Sequence, residues 1–259
     1  MKLEGKAAVI TGAGRGLGRA MALVMSREGA RIAIMSRSRE ELEYTAKQIK
    51  NAGQECLIFP GDVSSESDVT GMVTESREVF SKIDILVNNA AIIGPTRFTE
   101  DANFTAWKRT MDINLNGAFL CTRAVVPIMI AAGGGKILNI SSGLGQMPFP
   151  RFCAYAVSKA GMIQLTRSLS EELKEMNIQV NAIDPGVMDT HMQEEIRAQG
   201  PEILGESVYR NFLEYKKKGH LKDPAVVASL AVFLVSDEAD RISGYFGTLD
   251  DYTKLGWRP

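Results

Sequence analysis

Tyr155 and Lys159 are the residues of this chain best suited to proton transfer. Four positions apart, they share one face of a helix. A phenol has a pKa near ~10, so a base that works near pH 7 needs a shift of about 3 units, or roughly 4 kcal/mol. One ammonium group at about 4 Å supplies roughly that much at an effective dielectric near 20. The pair therefore predicts a proton-exchange site in which Lys159 lowers the pKa of Tyr155, although the same spacing is also common by chance.

A glycine-rich turn is the second segment that could do chemistry. Thr11, Gly12, Gly16 and Gly18 form the pattern T-G-x-x-x-G-x-G between an apolar run at 7–10 and a helical segment. Backbone N–H groups without partners converge at such a helix start, and the helix dipole adds positive charge there. The turn therefore predicts a site for nucleotide phosphates, the alternative being a tight connection without a ligand.

Strand-like and helix-like segments alternate along the whole chain and must position these residues. Right-handed crossovers between parallel strands then predict a single doubly wound Rossmann-type α/β domain over residues 1–259, with a seven-stranded parallel sheet. The predicted strands are 7–10, 30–35, 56–59, 83–87, 136–140, 178–183 and 245–249. The predicted helices include 39–51, a segment ending near 81, 104–132 with a kink at Pro127, 154–176 and 224–236.

One insertion, 188–222, interrupts this alternation between the sixth strand and the next helix. It is charged and carries Tyr209, Phe212 and Tyr215. Ligands lie beyond the carboxyl ends of parallel strands, so the insertion is predicted to be a lid over the substrate, rather than a surface excursion.

Composition excludes several classes of function. The net charge is −1 over 259 residues and no basic stripe is present, which argues against nucleic acid. Three widely spaced cysteines and two histidines suggest neither a disulfide framework nor a metal site. The longest apolar run, 124–132, is too short to cross a bilayer, and the first residues lack a signal-peptide core. We therefore expect a cytoplasmic protein.

Further motifs fall in order and at the approximate spacing of a known family. They are Asn88-Asn89-Ala90, Asn114, Ser142 and Asp184-Pro185-Gly186. With the turn and the Tyr–Lys pair, they resemble the classical short-chain dehydrogenase/reductase family from Lys6 to about Leu249. The resemblance implies that Tyr155 exchanges a proton with the substrate oxygen and that Lys159 lowers its pKa. It also implies that Ser142 holds that oxygen and that Asn114 anchors a water. Ser141 is the alternative to Ser142.

The same resemblance implies the residues that bind a nicotinamide dinucleotide. They are Gly12, Arg15, Gly16, Leu17, Gly18, Ser36, Arg37, Asp62, Val63, Asn88, Ala90, Tyr155, Lys159, Pro185, Gly186, Val187 and Thr190. Enzymes that use NAD place Asp or Glu about 20 residues past the glycines, where this chain has Ser36 followed by Arg37. Arg37 and Arg15 could pair with a 2′-phosphate, which favours NADP(H) over NAD. A solvated loop is the alternative for Arg37.

The predicted reaction is hydride transfer between the cofactor and a small, largely apolar ketone or secondary alcohol. The loops around the site hold Ile92, Ile93, Leu144, Met147, Phe149, Phe152, Met188 and Met192. A 3-oxoacyl-thioester reductase ranks lower, because no basic patch offers a landing site for an acidic carrier. A nucleotide-sensing module and an epimerase or dehydratase are further alternatives.

Two features remain open after this comparison. The helix from Ala154 is apolar nearly all round, which predicts cover by a partner subunit in a homotetramer or homodimer, or deep burial within one subunit. The chain ends its last strand with Asp250-Asp251-Tyr252, where family members often have Asp-Gly. The course of the tail is therefore not predicted.

Overall fold

A computed structural model describes residues 1–219 and 221–258. Seven parallel strands form one sheet in the order β3-β2-β1-β4-β5-β6-β7. The strands are β1 Ala7–Thr11, β2 Arg31–Ser36, β3 Cys56–Pro60, β4 Ile85–Asn88, β5 Gly135–Ile140, β6 Ile178–Ile183 and β7 Phe246–Gly247. The strand order reverses direction between β1 and β4, as in a doubly wound fold. The predicted fold class is confirmed.

Helices cover both faces of the sheet, which explains why its central strands are apolar without alternation. Successive residues of β1 point to opposite sides: Ala8 and Ile10 belong to one core, and Ala7 and Val9 to the other. The helices are α1 Gly16–Arg27, α2 Arg39–Asn51, α3 Glu66–Phe80, α4 Phe104–Met111, α5 Gly117–Ala131, α6 Cys153–Glu172, α7 His191–Ala198, α8 Gly200–Leu204, α9 Glu206–Lys217, α10 Pro224–Val235 and α11 Leu249–Lys254.

The long helical segment predicted at 104–132 is interrupted, but not at the proline. A π-helical turn, Asp112–Asn116, separates α4 from α5, whereas α5 continues through Pro127. Phe104–Ala131 is also long and apolar enough, by length and composition alone, to be a candidate membrane span. In this fold it contributes Cys121, Val125 and Met129 to the core beneath the sheet, as core helices do.

The described residues of the predicted lid segment, 188–222, include the three short helices α7, α8 and α9. Ile196, Leu204 and Phe212 of this segment form a small apolar core with Phe152. Met188 and Lys222 form a parallel bridge at its base, where the Lys222 N–H donates to the Val187 carbonyl at 2.9 Å. The segment therefore leaves and rejoins the sheet region at one point, and its residues Met188, Met192 and Glu195 line a cavity there.

The C-terminal tail returns to the core. The predicted last strand, 245–249, is reduced to β7, because Thr248 caps a new helix, α11, in a capping box with Asp251. The Tyr252 hydroxyl donates to the Ala182 carbonyl at 2.8 Å, and Trp257 is buried. These contacts fix the tail against β6.

Candidate active site

A cavity of about 370 Å³ opens at the carboxyl ends of the strands, where the sheet order reverses. Such a crevice is the usual ligand site of open α/β sheets. Most of the predicted cofactor-binding residues lie in its wall. They are Gly12, Arg15, Gly16, Leu17, Gly18, Ser36, Arg37, Asp62, Val63, Ala90, Tyr155, Lys159, Pro185 and Thr190.

The glycine-rich turn has the features of a phosphate site. Gly12 and Gly16 have φ values of 65° and 56°, which residues with a Cβ rarely adopt. Helix α1 follows with no acidic residue in its first turn and, within the described residues, no side chain that caps it. Its first N–H groups are thus available to an anion. The turn therefore fits a dinucleotide whose phosphates lie against it.

Thr11 joins this turn to the neighbouring strand. Its hydroxyl accepts hydrogen bonds from the N–H groups of Asn89 at 3.0 Å and Ala90 at 3.1 Å, and donates to the Val87 carbonyl at 3.3 Å. The Asn89 amide in turn donates to the carbonyls of Thr11 at 2.9 Å and Gly12 at 3.2 Å. These bonds hold the two loops that meet at the strand-order reversal in one geometry.

Tyr155 lies in the first turn of α6, is nine-tenths buried, and has the Ser142 hydroxyl as a neighbour. Burial raises the pKa of Tyr155 to about 12, and the carboxylate of Asp184 adds to this effect, although the bond with Ser142 opposes it. The phenol is thus protonated near neutral pH in the protein alone. It can donate a proton to an oxygen atom in the cavity.

Lys159 lies one turn later in α6 and is fully buried. Its ammonium donates to the Ile140 carbonyl at 2.7 Å and lies 5.5 Å from the centroid of the Tyr155 ring. Burial lowers the pKa of Lys159 to about 8. Burial decides the direction of the Tyr155 shift in the protein alone, and the prediction that Lys159 lowers the pKa of Tyr155 stays a prediction.

Ser141 and Ser142 follow the end of β5 and differ in their contacts. The Ser141 hydroxyl is buried and donates to the Lys159 carbonyl at 2.9 Å, so it fixes α6 against the strand. The Ser142 hydroxyl is a neighbour of Tyr155 and accepts from the Leu144 N–H at 3.2 Å. Ser141 lines the cavity, so the assignment of the substrate oxygen to Ser142 rests on its proximity to Tyr155 and stays a prediction.

Asn114 lies in the π-helical turn and is completely buried. Its side chain accepts from the Ile92 N–H at 2.8 Å and donates to the Ile92 carbonyl at 2.9 Å and the Ser158 hydroxyl at 3.0 Å. Ser158 in turn donates to the Tyr155 carbonyl at 2.7 Å. Asn114 thus joins the loop after β4 to the helix that carries Tyr155 and Lys159, and π-turns are frequent at functional sites.

Comparison with known proteins agrees with this geometry. The family described as short chain dehydrogenase matches residues 6–201. The chain belongs to the short-chain dehydrogenase family. "Oxidoreductase UcpA" of Salmonella typhimurium (strain LT2) is 37% identical over 259 residues, covering 98% of this chain and 96% of that protein. The protein is thus an oxidoreductase of a family whose members bind NAD(P).

Two solved structures extend the comparison. Levodione reductase is 30% identical with a TM-score of 0.88, covering 98% of this chain and 100% of its own. NAD⁺-bound xylitol dehydrogenase is 30% identical with a TM-score of 0.88, covering 96% of this chain and 99% of its own.

Three predicted cofactor contacts of this short-chain dehydrogenase do not lie in the cavity wall. The Asn88 amide points into the protein, where it donates to Asn139 at 2.9 Å and Thr122 at 3.2 Å. Its neighbour Asn89 lines the cavity instead, because successive residues of a strand face opposite sides. Gly186 and Val187 lie behind Pro185, where their backbone is bonded to Asp184 and Lys222. The predicted contacts of Asn88, Gly186 and Val187 with a cofactor stay predictions, although these residues do not line the cavity.

The cavity also has two charged residues that the sequence analysis missed, Glu41 and Glu195. Glu41 lies in the first turn of α2, and its N–H donates to the Ser38 hydroxyl at 3.2 Å. Glu195 lies in the lid, one helical turn after His191, which also lines the cavity. The cap sequence at Ser38 could have indicated Glu41, whereas Glu195 reaches the cavity only through the placement of the lid.

At the far end of the cavity, Asp62 is held by the α4 residue Arg109, whose guanidinium donates to the Asp62 carboxylate. Burial raises the pKa of Asp62, but the bonds from Ser64 and Arg109 outweigh it and hold the pKa below its usual value. The Asp62 carboxylate is therefore ionised at neutral pH, and its orientation is fixed by these hydrogen bonds.

We predict that Ser142→Ala lowers kcat/KM by roughly 10²-fold or more, as expected for loss of one donor to a developing oxyanion. Ser141→Ala is the matched control. It removes a hydroxyl of the same size one residue away, and any loss should come from movement of Lys159. Initial rates on one ketone measure both. Equal losses in the two variants contradict the assignment of Ser142.

The buried ammonium of Lys159 predicts a pH-dependent stability. Its pKa is lower in the folded protein than in the unfolded chain, so the unfolded chain binds more protons between pH 8 and 10.5. The contribution of Lys159 to the free energy of unfolding should therefore rise across this interval, by at most about 3 kcal/mol.

The measurement is urea unfolding of the wild type and Lys159→Met without cofactor, at several values between pH 7.5 and 10. The wild type should gain stability relative to the variant as the pH rises. Titration of Tyr155, whose raised pKa acts in the opposite direction above pH 10, cancels between the two proteins. A stability difference that does not change with pH contradicts the prediction.

Proposed function

We propose that this protein is an NADP(H)-dependent oxidoreductase that interconverts a small, largely apolar ketone and the corresponding secondary alcohol. The observation that supports this most strongly is that Tyr155 and Lys159 lie in the wall of one cavity with the glycine-rich turn, with Ser142 as a neighbour of Tyr155. An acid, a second donor and a nucleotide site thus converge on one space.

The bound cofactor supplies the hydride and, in its oxidised form, a positive charge. The protein's own residues handle the oxygen. In the direction of reduction, Ser142 and Tyr155 hold the carbonyl oxygen with hydrogen bonds, and the protonated Tyr155 gives it a proton as negative charge develops there. A phenolate then remains on Tyr155. The ammonium of Lys159, which the Ile140 carbonyl holds in place, is a nearby positive charge that stabilises it.

The proposed substrate class rests on the apolar wall near Tyr155. Ile92, Met188 and Met192 line the cavity, and Ile93, Leu144 and Phe149 pack against the apolar core of the lid. Methionine adapts to irregular apolar ligands. The similarity to levodione reductase supports a ketone, and a polyol like that named for xylitol dehydrogenase fits these walls less well.

The proposed cofactor preference rests on the end of β2. Ser36 and Arg37 line the cavity there, and Arg15 faces it from the glycine-rich turn. A guanidinium pairs well with the 2′-phosphate of NADP(H), and Ser36 does not repel that group. The solved relative with bound NAD⁺ shows that the fold also accepts the other cofactor.

Initial rates with NADPH and NADH test the proposal. The panel should hold cyclic and linear ketones, the corresponding alcohols, a polyol and a 3-oxoacyl thioester. We expect turnover of an apolar ketone and a KM for NADPH at least roughly tenfold below that for NADH, which corresponds to one well-placed charged contact. A lower KM for NADH overturns the cofactor assignment, and turnover of the polyol or thioester alone overturns the substrate assignment.

We also propose that two or four copies of the chain assemble. Large apolar side chains are exposed on the neighbouring helices α4 and α5, where Phe104 is 76% and Phe119 46% exposed, and Val157 on α6 is 43% exposed. Surfaces of this kind are often covered in an oligomer. Light scattering coupled to size-exclusion chromatography tests this, and a mass of one subunit of 28.3 kDa contradicts it.

A further inference from the structure

Arg15 forms ion pairs with two carboxylates in the protein without cofactor. It stands at the start of α1 within the glycine-rich turn. Its Nη2 lies 3.0 Å from Oε1 of Glu195, and its Nη1 lies 3.6 Å from Oε1 of Glu41. All three side chains line the cavity. The cation at this end of the cavity is therefore already neutralised from two sides.

The two carboxylates differ in what carries them. Glu41 is part of α2. A Cβ added at Gly14 would come within about 3.0 Å of both the Glu41 and the Ser36 side chains, so these two side chains lie near each other. Glu195 is part of the lid helix α7, and its Oε1 also lies 3.3 Å from His191 Nε2. The shorter contact thus joins the lid to the phosphate-binding turn across the cavity.

From this arrangement we infer that Glu195 is a coenzyme-specificity residue, which competes with the ribose 2′-phosphate for Arg15. This inference rests on the proposed use of NADP(H). A phosphate monoester carries more charge than a carboxylate and accepts two parallel bonds from a guanidinium, so it displaces Glu195. Breaking the ion pair between Arg15 and Glu195 lowers the affinity for a cofactor that carries a 2′-phosphate, and does not change the affinity for a cofactor that lacks it. It also frees the lid from the turn, whereas a cofactor with a 2′-hydroxyl leaves the contact in place.

The exposure of the Arg15 and Glu195 side chains sets the size of the expected change in affinity. The side chains of Arg15 and Glu195 are 45% and 44% exposed, so water and salt screen their attraction. Removing the carboxylate should therefore strengthen binding of a 2′-phosphate by roughly two- to fivefold, and the gain should shrink at high salt.

The experiment compares Glu195→Gln with Glu194→Gln by calorimetric titration. Both variants lose one negative charge at neighbouring positions of α7. Glu194 lies 3.1 Å from His191 Nδ1, and its side chain, 56% exposed, carries no ion pair with Arg15 among the described residues. The probes are 2′,5′-ADP and 5′-AMP, which differ by the 2′-phosphate and need no turnover.

We expect Glu195→Gln to bind 2′,5′-ADP two- to fivefold more tightly than the wild type at low salt, with 5′-AMP unchanged and with Glu194→Gln unchanged for both probes. Equal gains for the two probes, equal gains in the two variants, or no gain at all overturn the inference. The kinetic preference of the wild type for NADPH or NADH is measured separately. A kinetic preference of the wild type for NADH therefore overturns the proposed cofactor. It does not decide how Glu195→Gln changes the affinities for 2′,5′-ADP and 5′-AMP, which test the role of Glu195.

Discussion

Tyr155→Phe should lower kcat roughly 10²- to 10⁴-fold, the range expected when a positioned acid is removed. The substitution deletes the phenol hydroxyl of the cavity wall, which is protonated near neutral pH and lies beside Ser142. Phe keeps the ring and its packing, so the fold and the nucleotide site should persist. Steady-state rates on the best ketone, with the dissociation constant for NADPH measured by fluorescence, check both expectations.

Tyr252→Phe is the matched control for this prediction. Tyr252 is also a buried tyrosine, but its hydroxyl donates to the Ala182 carbonyl at 2.8 Å, away from the cavity. Its loss should lower the free energy of unfolding by about 1 kcal/mol and leave kcat within about twofold of the wild type. If both variants lose activity equally, or if Tyr155→Phe keeps most of it, Tyr155 is not the proton donor.

The features that the sequence predicts well are those set by local pattern. Apolar runs bounded by turns indicate β1 to β6, because strands covered on both faces need no polar positions. The glycine-rich turn is recognised because Gly12 and Gly16 adopt a backbone conformation that other residues resist. Tyr155 and Lys159 are found together because four positions along a helix bring them to one face.

The features that the sequence does not predict depend on tertiary structure. The side of the strand to which Asn88 points follows from the parity of the pleat, and a shift of one residue exchanges it with Asn89. The π-turn at Asn114 adds one residue to a helical turn, which hydrophobic periodicity does not register. Pro127, by contrast, is a strong signal in the sequence, yet α5 continues through it.

The pKa of Tyr155 shows the same limit for electrostatics. The spacing of Tyr155 and Lys159 supplies the attraction between phenolate and ammonium, but not the burial that opposes it. In the structure burial raises the pKa of the phenol and lowers that of the amine, so it disfavours the charged form of both groups. Glu195 is a comparable case, since only the lid brings it to Arg15.

The second prediction with a large expected effect concerns Gly18, where the backbone of α1 packs closely against Gly12. Gly18 lies in the first turn of α1, and a Cβ there would be 2.3 Å from the Gly12 carbonyl oxygen and 2.6 Å from the Asn89 amide nitrogen. Gly18→Ala must therefore move the backbone of the glycine-rich turn, which Asn89 holds in place. We expect the dissociation constant for NADPH to rise roughly 100-fold or more and the free energy of unfolding to fall by about 1–3 kcal/mol.

Gly71→Ala is the control that separates this effect from helix propensity. Gly71 lies within α3, and a Cβ there would meet no atom within 4 Å. Because alanine favours the helix, this variant should gain about 0.5–1 kcal/mol and bind NADPH as the wild type does. Urea unfolding and fluorescence titration measure both variants. Normal cofactor affinity in Gly18→Ala would mean that the turn can open by several tenths of an ångström at no cost, and the close approach of α1 to Gly12 would then not be what shapes the phosphate site.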